Sequence, residues 1–341
     1  MKSESANKTI YKRIFEQQET GIVLILFGLV TLFTILNPAF ISQTNVYSLL
    51  NTVAFTGIVA VGVTIIIISG DIDISVGSTA GLGAITSTYI MMETNCFGMW
   101  GSGAEWFGVV LCMILGLLIC AVVGFVNALL VVVVRMPAFI ATIATLNSVR
   151  GIVNVITKGV PIYPLPETFM DGLGGWQLSL TEAGGLSIPF FLFILLLIIV
   201  QFVLRRTTFG RNIYATGSNR SVAKISGINT DRVRFQNFIL TAMLAGFAGM
   251  LVAAVTSQGY PPIGTGWELQ IIAGVVVGGA SLKGGAGSMI GTLAGVLIIS
   301  VLNVGLIMLG INTFIQTSIQ GAMILLAVYI DILRKNTKIR A

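Results

Sequence analysis

The sequence predicts an all-α polytopic membrane protein, and three observations support that fold class. Hydrophobic residues make up 55% of the 341-residue chain and charged residues only 9%. The mean hydropathy is +0.96, a value that the surface of a soluble protein of this size would not permit. Apolar runs of bilayer length recur along the chain, separated by short polar or Gly/Pro-rich breaks. Because about 20 apolar residues are needed to cross a bilayer as a helix, each run is a candidate span.

Ten membrane-spanning helices are predicted from these runs. In chain order they cover residues 22–36, 46–69, 75–92, 107–134, 138–157, 187–204, 233–257, 268–282, 287–309 and 314–332. The first run has no small-x-small exit, so we expect it to remain as a span and not to act as a cleaved signal peptide. An even number of spans places both termini on one side of the membrane.

The basic side chains predict which side that is. If the N-terminus is cytoplasmic, all of the 19 basic residues except Arg150 and Lys158 fall in segments on the cytoplasmic side. Such an excess of Lys and Arg is typical of cytoplasmic segments. We therefore predict a cytoplasmic N-terminal segment over residues 1–20, followed by one transmembrane domain over residues 21–341 with both termini cytoplasmic.

The spans also suggest two related halves, at about residues 21–158 and 187–333. Asn127 precedes a long apolar run that ends in a Phe-Ile pair, and Asn303 is followed by a similar pattern. Units of five spans alternate in orientation, so the halves would form an inverted repeat, as in transporters whose binding sites lie between such repeats. Chance similarity between apolar helices is the alternative.

A basic segment, residues 205–234, connects the sixth and seventh predicted spans and holds seven of the 19 basic residues. Its composition places it in water beside the membrane. Ser218 can cap a short helix that begins near Asn219, and Gly227 suits the left-handed residue that ends a helix. We predict a short docking helix here.

The docking helix would have an apolar face and a basic face. Val222 and Ile225 fall on one face, and Arg220 and Lys224 fall on the other. We expect the apolar pair to insert into a groove of a partner and the basic pair to lie on the rim of that groove. The residues assigned to this contact are Arg211, Ser218, Asn219, Arg220, Val222, Lys224, Ile225 and Gly227.

The most unusual polar feature is the break between the second and third spans, where Asp71, Asp73 and Ser75 lie between bilayer-length apolar runs. Carboxylates in such a place are costly unless they cap a helix, meet water or pair. Asp73 or Ser75 could cap the third helix, since negative charge is favourable at a helix N-terminus. Contact with a solute path and a proton relay are the other interpretations.

Other polar residues lie inside or near the spans: Asn127, Arg150, Asn154, Glu268 and Asn303. Interhelical hydrogen bonding by the asparagines, snorkelling by Arg150 and helix capping by Glu268 are the structural interpretations. The functional interpretation is a wet path for a hydroxyl-rich solute, which needs amide partners and aromatic faces. Phe139 and Phe314 are the candidates for those faces.

Several classes of function lack their required residues. Cys96, Cys112 and Cys120 have no paired or metal-ligand spacing, and the chain has no histidine. We therefore expect no metal site and no catalytic residue. The glycine-rich stretch GGASLKGGAGS at residues 278–288 lacks the Gly-Lys-Ser/Thr order of a phosphate-binding loop, so close packing and a tight turn explain its glycines better. An ion-coupled secondary transporter would need acids or histidines deep within spans.

Several segments resemble one family, the permease subunits of bacterial ATP-binding-cassette (ABC) importers for simple sugars, of the ribose type. The similar segments are ISGDIDISVGS at 68–78, MPAFIATIATLNSVRGI at 136–152, FGRNIYATGSNRSVAKISGIN at 209–229, WELQIIAGVVVGGASLKGGAGSMIGTLAGVLI at 267–298 and VLNVGLIMLGIN at 301–312. Together they extend over nearly the whole chain in the order found in that family.

The resemblance implies a transport pore without its own motor. Members of this family form a permease dimer, bind two ATPase domains on the cytoplasmic face and receive sugar from a periplasmic binding protein. Residues 210–227 match the segment that contacts the ATPase. The chain itself would hold no cofactor, because ATP and Mg would be bound by the partner ATPase, and the protein would lie in the bacterial inner membrane.

Three residues depart from the family pattern. Asp71 stands where Gly or Ser is frequent, Gln270 where Asp is usual, and Lys283 where Ser, Ala or Met is common. The solute therefore stays open among ribose, another pentose or hexose, a polyol and a furanose-like signalling molecule. Two alternatives to a sugar importer remain. One is a related permease for nucleosides or branched-chain amino acids, and the other is an ion-coupled transporter.

Overall fold

The computed structural model describes residues 18–181, 184–312, 314–322, 325 and 329, so most of the predicted N-terminal segment lies outside the described residues. The fold is mostly helical. The main helices are α1 (Gln18–Leu36), α2 (Gln43–Ile68), α3 (Val76–Glu93), α4 (Glu105–Ala128), α5 (Ala138–Thr157), α6 (Ile188–Arg206), α7 (Thr208–Ser218), α8 (Arg220–Ile225), α9 (Thr230–Val255), α10 (Trp267–Val277) and α11 (Met289–Met308). Residues 314–322 are also helical.

Several helices have the length and composition of membrane spans. Within the described residues, six do so: α2, α4 with its π-helical extension Leu129–Val133, α5, α6, α9 and α11. The apolar part of α1 and the whole of α10 are shorter, and α3 carries more Ser, Thr and Gly. The chain is a helical, multi-pass membrane protein. The last predicted span reaches beyond the described residues, and the inverted repeat stays a prediction.

The predicted span at residues 268–282 is shorter in the structure. Its helix, α10, ends at Val277 after 11 residues, which at 1.5 Å per residue is about 16 Å and too short to cross a bilayer. The helix stops because Gly279 has a φ of +99° and Gly284 and Gly285 also adopt left-handed conformations. These glycines form the tight turn that the sequence predicts.

Helix α9 lies at the centre of the bundle, against α2, α3 and α4. Small residues allow the backbones to approach closely: Gly83 packs on Gly246, and Gly249 packs on the backbone of Ala80. By contrast, α4, α5 and α6 turn many large apolar side chains outward. This distribution is the one expected for helices that face lipid.

The connection between α5 and α6 contains regular structure, including two β-strands, and it corrects the prediction of a purely helical fold. It contains a one-turn helix (Glu167–Phe169), a π-helical turn (Met170–Gly175) and an antiparallel hairpin of β1 (Gln177–Thr181) and β2 (Gly184–Ser187). The backbone of Ile162 also pairs with that of Gly259. The hairpin strands are too short for a clear alternating pattern, which is why the sequence did not indicate them.

Residues 256–266, which follow α9, fold back between the helices. The backbone at Ile263 and Gly264 packs against Gly77 and Gly81, in the first two turns of α3. Both α3 positions lack a side chain, so a second segment can approach the helix directly. As a result, α10 begins beside the first turns of α3.

Candidate functional site

The basic segment forms two helices, α7 and α8, instead of the one predicted. Ser218 is the last residue of α7, and its hydroxyl donates to the carbonyl of Tyr214 at 2.8 Å. Asn219 is the residue that caps α8, because its extended backbone lets Oδ1 accept from the N–H of Val222 at 3.1 Å. The prediction that Ser218 caps this helix is therefore wrong by one residue.

The end of α8 agrees with the sequence. Gly227 has a φ of +84°, and its N–H donates to the carbonyl of Lys224 at 3.1 Å, while the N–H of Ile228 donates to that of Ala223 at 3.0 Å. This arrangement satisfies the last carbonyls of the helix, and only a residue without Cβ adopts it freely.

One face of α8 is open. Val222 is 58% exposed and Ile225 is 87% exposed, and Lys224 and Arg211 are also exposed. Ala223 is buried against the bundle. Val222 and Ile225 therefore lie uncovered on the surface. Within α8, Ala223 is the buried residue that packs against the rest of the protein.

The sequence predicts Arg220 on the rim beside the apolar pair, and this prediction is wrong, because the side chain of Arg220 is bonded to another segment. Its Nη2 donates to Oδ1 of Asp71 at 2.8 Å and to the carbonyl of Gly70 at 2.9 Å. Arg234, in the second turn of α9, donates to the same carboxylate from Nε at 2.7 Å and from Nη2 at 2.8 Å. We call Gly70, Asp71, Arg220 and Arg234 the Asp71 junction.

The Asp71 junction is a charge-assisted contact with little access to water. The side chain of Asp71 is 3% exposed and that of Arg234 is 9% exposed, while that of Arg220 is 42% exposed. A buried carboxylate requires such partners, because an unpaired charge in a low dielectric is very costly. Both oxygens of Asp71 are occupied, and the junction joins the break after α2 to α8 and α9.

The end of α7 packs against two other segments beside the Asp71 junction. The N–H of Gly285 donates to the carbonyl of Ile68 at 2.8 Å. Gly217 lies so close to both that a Cβ at its position would overlap the Ile68 oxygen, and Gly284 packs against the Gly217 carbonyl. The turn after α10, the end of α2 and the end of α7 are therefore in direct backbone contact.

Tyr214 adds a side-chain contact at the same place. Its hydroxyl donates to the carbonyl of Gly287 at 2.7 Å. Burial raises the pKa of Tyr214, and the nearby Arg205 offsets only part of that rise. The phenol therefore keeps its proton near neutral pH and remains a donor.

Asp73, Ser75 and Asn127 meet in the interior. Oδ1 of Asp73 accepts from the N–H of Ser75 at 2.8 Å and from its hydroxyl at 2.6 Å, and Nδ2 of Asn127 donates to the Ser75 hydroxyl at 2.9 Å. Ser75 makes no side-chain capping hydrogen bond at α3, so the capping interpretation is wrong for Ser75, whereas Asp73 binds the N–H of the residue that directly precedes Val76, the first residue of α3. Asp73 Oδ2 and Asn127 Oδ1 are buried without a hydrogen-bond partner within the described residues.

Arg150 and Glu268 both lie beside the folded-back segment. Nη1 of Arg150 donates to the carbonyls of Pro261 at 2.8 Å and Ile263 at 2.9 Å, so the residue does not snorkel outward. Glu268 packs against Gly77, and its Oε2 is buried without a hydrogen-bond partner in the described part of the chain.

Three side-chain amides from different helices form a closed ring. Nε2 of Gln270 (α10) donates to Oε1 of Gln320 at 3.3 Å, and Nε2 of Gln320 donates to Oδ1 of Asn303 (α11) at 2.9 Å. Nδ2 of Asn303 then donates to Oε1 of Gln270 at 3.5 Å. We call these residues the amide ring. They line a pocket of about 550 Å³.

The structure brings some predicted path residues together and separates others. Phe139 is 55% exposed and lines a cavity of about 640 Å³ beside the Asp71 junction. Phe314 is 82% exposed and Asn154 is also on the surface. Asn303 is in the amide ring; of the other two members, Gln270 stood out in the sequence only as a departure from the family pattern, and Gln320 did not stand out. Gln316 and Gln320 lie one helical turn apart in the last predicted span, so both amides fall on one face of that helix. This spacing was the sequence signal that could have identified Gln320.

The described residues contain no group of three or more His, Cys, Asp or Glu side chains that could hold a metal ion. The three cysteines are free and buried.

Comparison with known proteins gives a consistent picture. A family model described as "Branched-chain amino acid transport system / permease component" matches residues 45–328. The ribose import permease protein RbsC of Bacillus subtilis is 40% identical over 334 residues, which cover 97% of this chain and 98% of that protein. The L-arabinose ABC transporter permease protein AraH of Azospirillum brasilense is 31% identical over 319 residues, covering 94% and 89%.

The xylose transport system permease protein XylH of Escherichia coli is also similar, with 31% identity over 383 residues, covering 96% of this chain and 93% of that protein. No solved structure matches the chain at a significant level.

Proposed function

Because the chain belongs to the family of branched-chain amino acid transport system permease components, we propose that it is the membrane-spanning subunit of an ABC importer that brings a monosaccharide into the cytoplasm. The single observation that carries this function is similarity to ribose, arabinose and xylose permeases over almost the whole chain. The resemblance to sugar permeases seen in the sequence is thereby confirmed. Ribose is the first candidate solute, since the ribose permease has the highest identity of the three.

We infer that the working assembly contains two copies of this chain, a cytoplasmic ABC ATPase and a periplasmic sugar-binding protein. The chain is a non-catalytic transport component, so ATP and Mg would be bound by the ATPase. The end of the bundle that carries α7 and α8 would face the cytoplasm of a bacterial inner-membrane protein, with both termini on the same side. The distribution of basic residues supports this orientation.

In this assembly α8 would be the coupling helix. Its exposed Val222 and Ile225 would enter a groove of the ATPase, with Lys224 at the edge. Arg220, next to them, is bonded to Asp71, so a displacement of α8 would pull on the break between α2 and α3. The backbone contacts of Gly217 would transmit the same displacement to the turn after α10. ATP-driven movement would thus re-aim several spans at once.

Reconstitution tests this function. The purified chain in liposomes should take up no radiolabelled ribose by itself, and it should do so when the partner ATPase, ATP and the binding protein are supplied. Xylose and arabinose serve as competing solutes. Accumulation driven by a proton or sodium gradient without ATP would overturn the importer assignment and favour an ion-coupled transporter. Uptake of leucine in place of every sugar would favour the amino acid permease.

A further inference from the structure

We propose that the amide ring of Gln270, Asn303 and Gln320 is a binding site for an uncharged, hydroxyl-rich solute. The proposal rests on the proposed function and specifies where in the chain the cargo is held. It concerns residues of α10, α11 and the helical residues 314–322, which the sequence places far apart.

The hydrogen-bonding capacity of the ring is only half used. A carboxamide has two N–H donors and an oxygen with two lone pairs. In the ring, each amide donates one hydrogen bond to the next amide and accepts one from the previous amide. Within the described part of the chain, each therefore keeps one side-chain donor and one acceptor for another molecule. A sugar hydroxyl both donates and accepts, so it matches such a pair.

The hydrogen bonds within the ring can also be replaced readily by hydrogen bonds to a solute. Two of them are long, at 3.3 and 3.5 Å, and bonds of this length are weak. Gln270, Asn303 and Gln320 are all partly exposed and not enclosed in the core. A hydroxyl group that enters the ring can replace a weak amide contact without leaving a buried group unpaired.

The pocket beside the ring has the composition of a neutral-solute site. Its volume of about 550 Å³ lies in the usual range for small-molecule pockets. Among the described residues, the lining contains no Asp, Glu, Lys or Arg, and it adds Thr265, Gln316 and Thr317 to the amides. Leu269 and Ile299 supply apolar walls, which can pack against the C–H face of a sugar ring. A charged solute would find no counter-ion among these described lining residues.

Interhelical hydrogen bonding alone is the competing explanation, since amides join helices in membranes. The two explanations differ in what happens at the pocket. If the ring only joins helices, its loss lowers the stability of the protein and leaves unchanged how the uptake rate depends on the solute concentration. If the ring holds solute, conservative changes alter the apparent affinity of transport while the assembly remains intact.

The first test is transport by the complete importer in proteoliposomes, with radiolabelled ribose and its binding protein. Gln270→Glu keeps the side-chain shape but removes the donor and adds a charge, and Gln320→Leu removes all polar atoms. We expect each variant to raise the KM for uptake at least fivefold, and the amount of ATPase that co-purifies with each permease variant reports whether the assembly is intact. A wild-type KM in both variants would overturn the proposal.

The second test reports on the pocket directly and does not require the ring to be altered. Thr265 lines the pocket and is exposed, and the three native cysteines are buried. In Thr265→Cys, ribose should slow labelling by a membrane-impermeant maleimide at least threefold, whereas the exposed control Ser102→Cys should label at the same rate with and without ribose. Equal labelling of Thr265→Cys in both conditions would overturn the site.

The two failures are distinguishable. If the site is wrong but the function is right, the wild-type importer still takes up ribose with ATP, and neither test shows an effect. If the function is wrong, the wild-type assembly shows no ATP-dependent ribose uptake at all.

Discussion

The Asp71 junction and the amide ring each join three segments of the chain, but they do so with different chemistry. The junction uses charged groups with donor–acceptor distances of 2.7–2.8 Å, and the ring uses neutral amides at 2.9–3.5 Å. Charge-assisted hydrogen bonds are roughly twice as strong as neutral ones. The junction is therefore suited to holding helices in a fixed relation, and the ring to exchanging one partner for another.

Helix α10 connects the two regions. Gln270 lies in its first turn and belongs to the ring, and the turn that follows Val277 packs against the end of α2 and the end of α7. Because α10 is only 11 residues long, a movement at one region is passed to the other through about three helical turns. The following predictions test the strength of the Asp71 junction and the contacts around it, from the largest expected effect on stability to the smallest; the variants of the amide ring described above are their counterpart.

Asp71→Ala should give the largest loss of stability. The change leaves the buried guanidinium of Arg234 without its counter-ion, and removing one partner of a buried ion pair costs about 3–5 kcal/mol. The measurement is thermal unfolding of the purified protein in detergent. Asp231→Ala is the matched control, since Asp231 is an exposed acid one turn before Arg234. An unchanged melting temperature for Asp71→Ala would mean that the junction does not hold these helices together.

Gly217→Ala should have the second largest effect. The new methyl group would overlap the Ile68 carbonyl, so α7 must move away from α2, and overpacking of this kind costs about 1–3 kcal/mol. We expect a lower melting temperature together with reduced ribose uptake. Gly151→Ala is the control, because no atom lies within 4 Å of a Cβ there. Equal behaviour of the two variants would contradict the close backbone contact.

Tyr214→Phe should have a smaller effect. It removes one hydrogen bond to the Gly287 carbonyl, which is worth about 1 kcal/mol. The expected result is a small decrease in the melting temperature, with ATP-dependent uptake largely retained. A decrease as large as that of Asp71→Ala would show that this hydrogen bond, and not the ion pairs, is the main connection between α7 and the membrane helices.

Ile225→Asp should leave stability unchanged, because the side chain is 87% exposed, and yet reduce transport. A charge on the apolar face of α8 would oppose its insertion into the ATPase, so we expect roughly a tenfold decrease in ribose uptake, which corresponds to about 1.4 kcal/mol. The ATPase bound to the purified permease is measured in parallel. Ser226→Asp places the same charge on the next residue and should have the smaller effect. Wild-type uptake and ATPase binding in Ile225→Asp would remove α8 from the contact.

The sequence predicted much of the helical architecture, because apolar length is a local property. Gly227 was predicted correctly for the same reason, since a helix end depends on one residue and its neighbours. The predicted capping residue of α8 was wrong by one position. Ser218 and Asn219 are both good capping residues, and only the backbone conformation distinguishes them. The early end of α10 depends on a tertiary contact of its glycines, which periodicity does not report.

The partners of the polar residues were not predictable from one sequence. Asp71 was noticed as a costly carboxylate, but Arg234 lies 163 residues away along the chain. In the same way, Gln270 and Gln320 are 50 residues apart. A burial cost indicates that a partner must exist, and only the fold identifies it.

The glycines of α3 affect how far substitutions in the interior can change the space beside α10. A Cβ at Gly81 would lie 2.8 Å from the Ile263 carbonyl and 2.9 Å from Nη1 of Arg150, so any larger residue there would displace the segment that leads into α10. The position of that segment is thus fixed by a missing methyl group. Relatives could therefore widen or narrow the space next to the amide ring by a single substitution on a neighbouring helix, with the amides themselves unchanged.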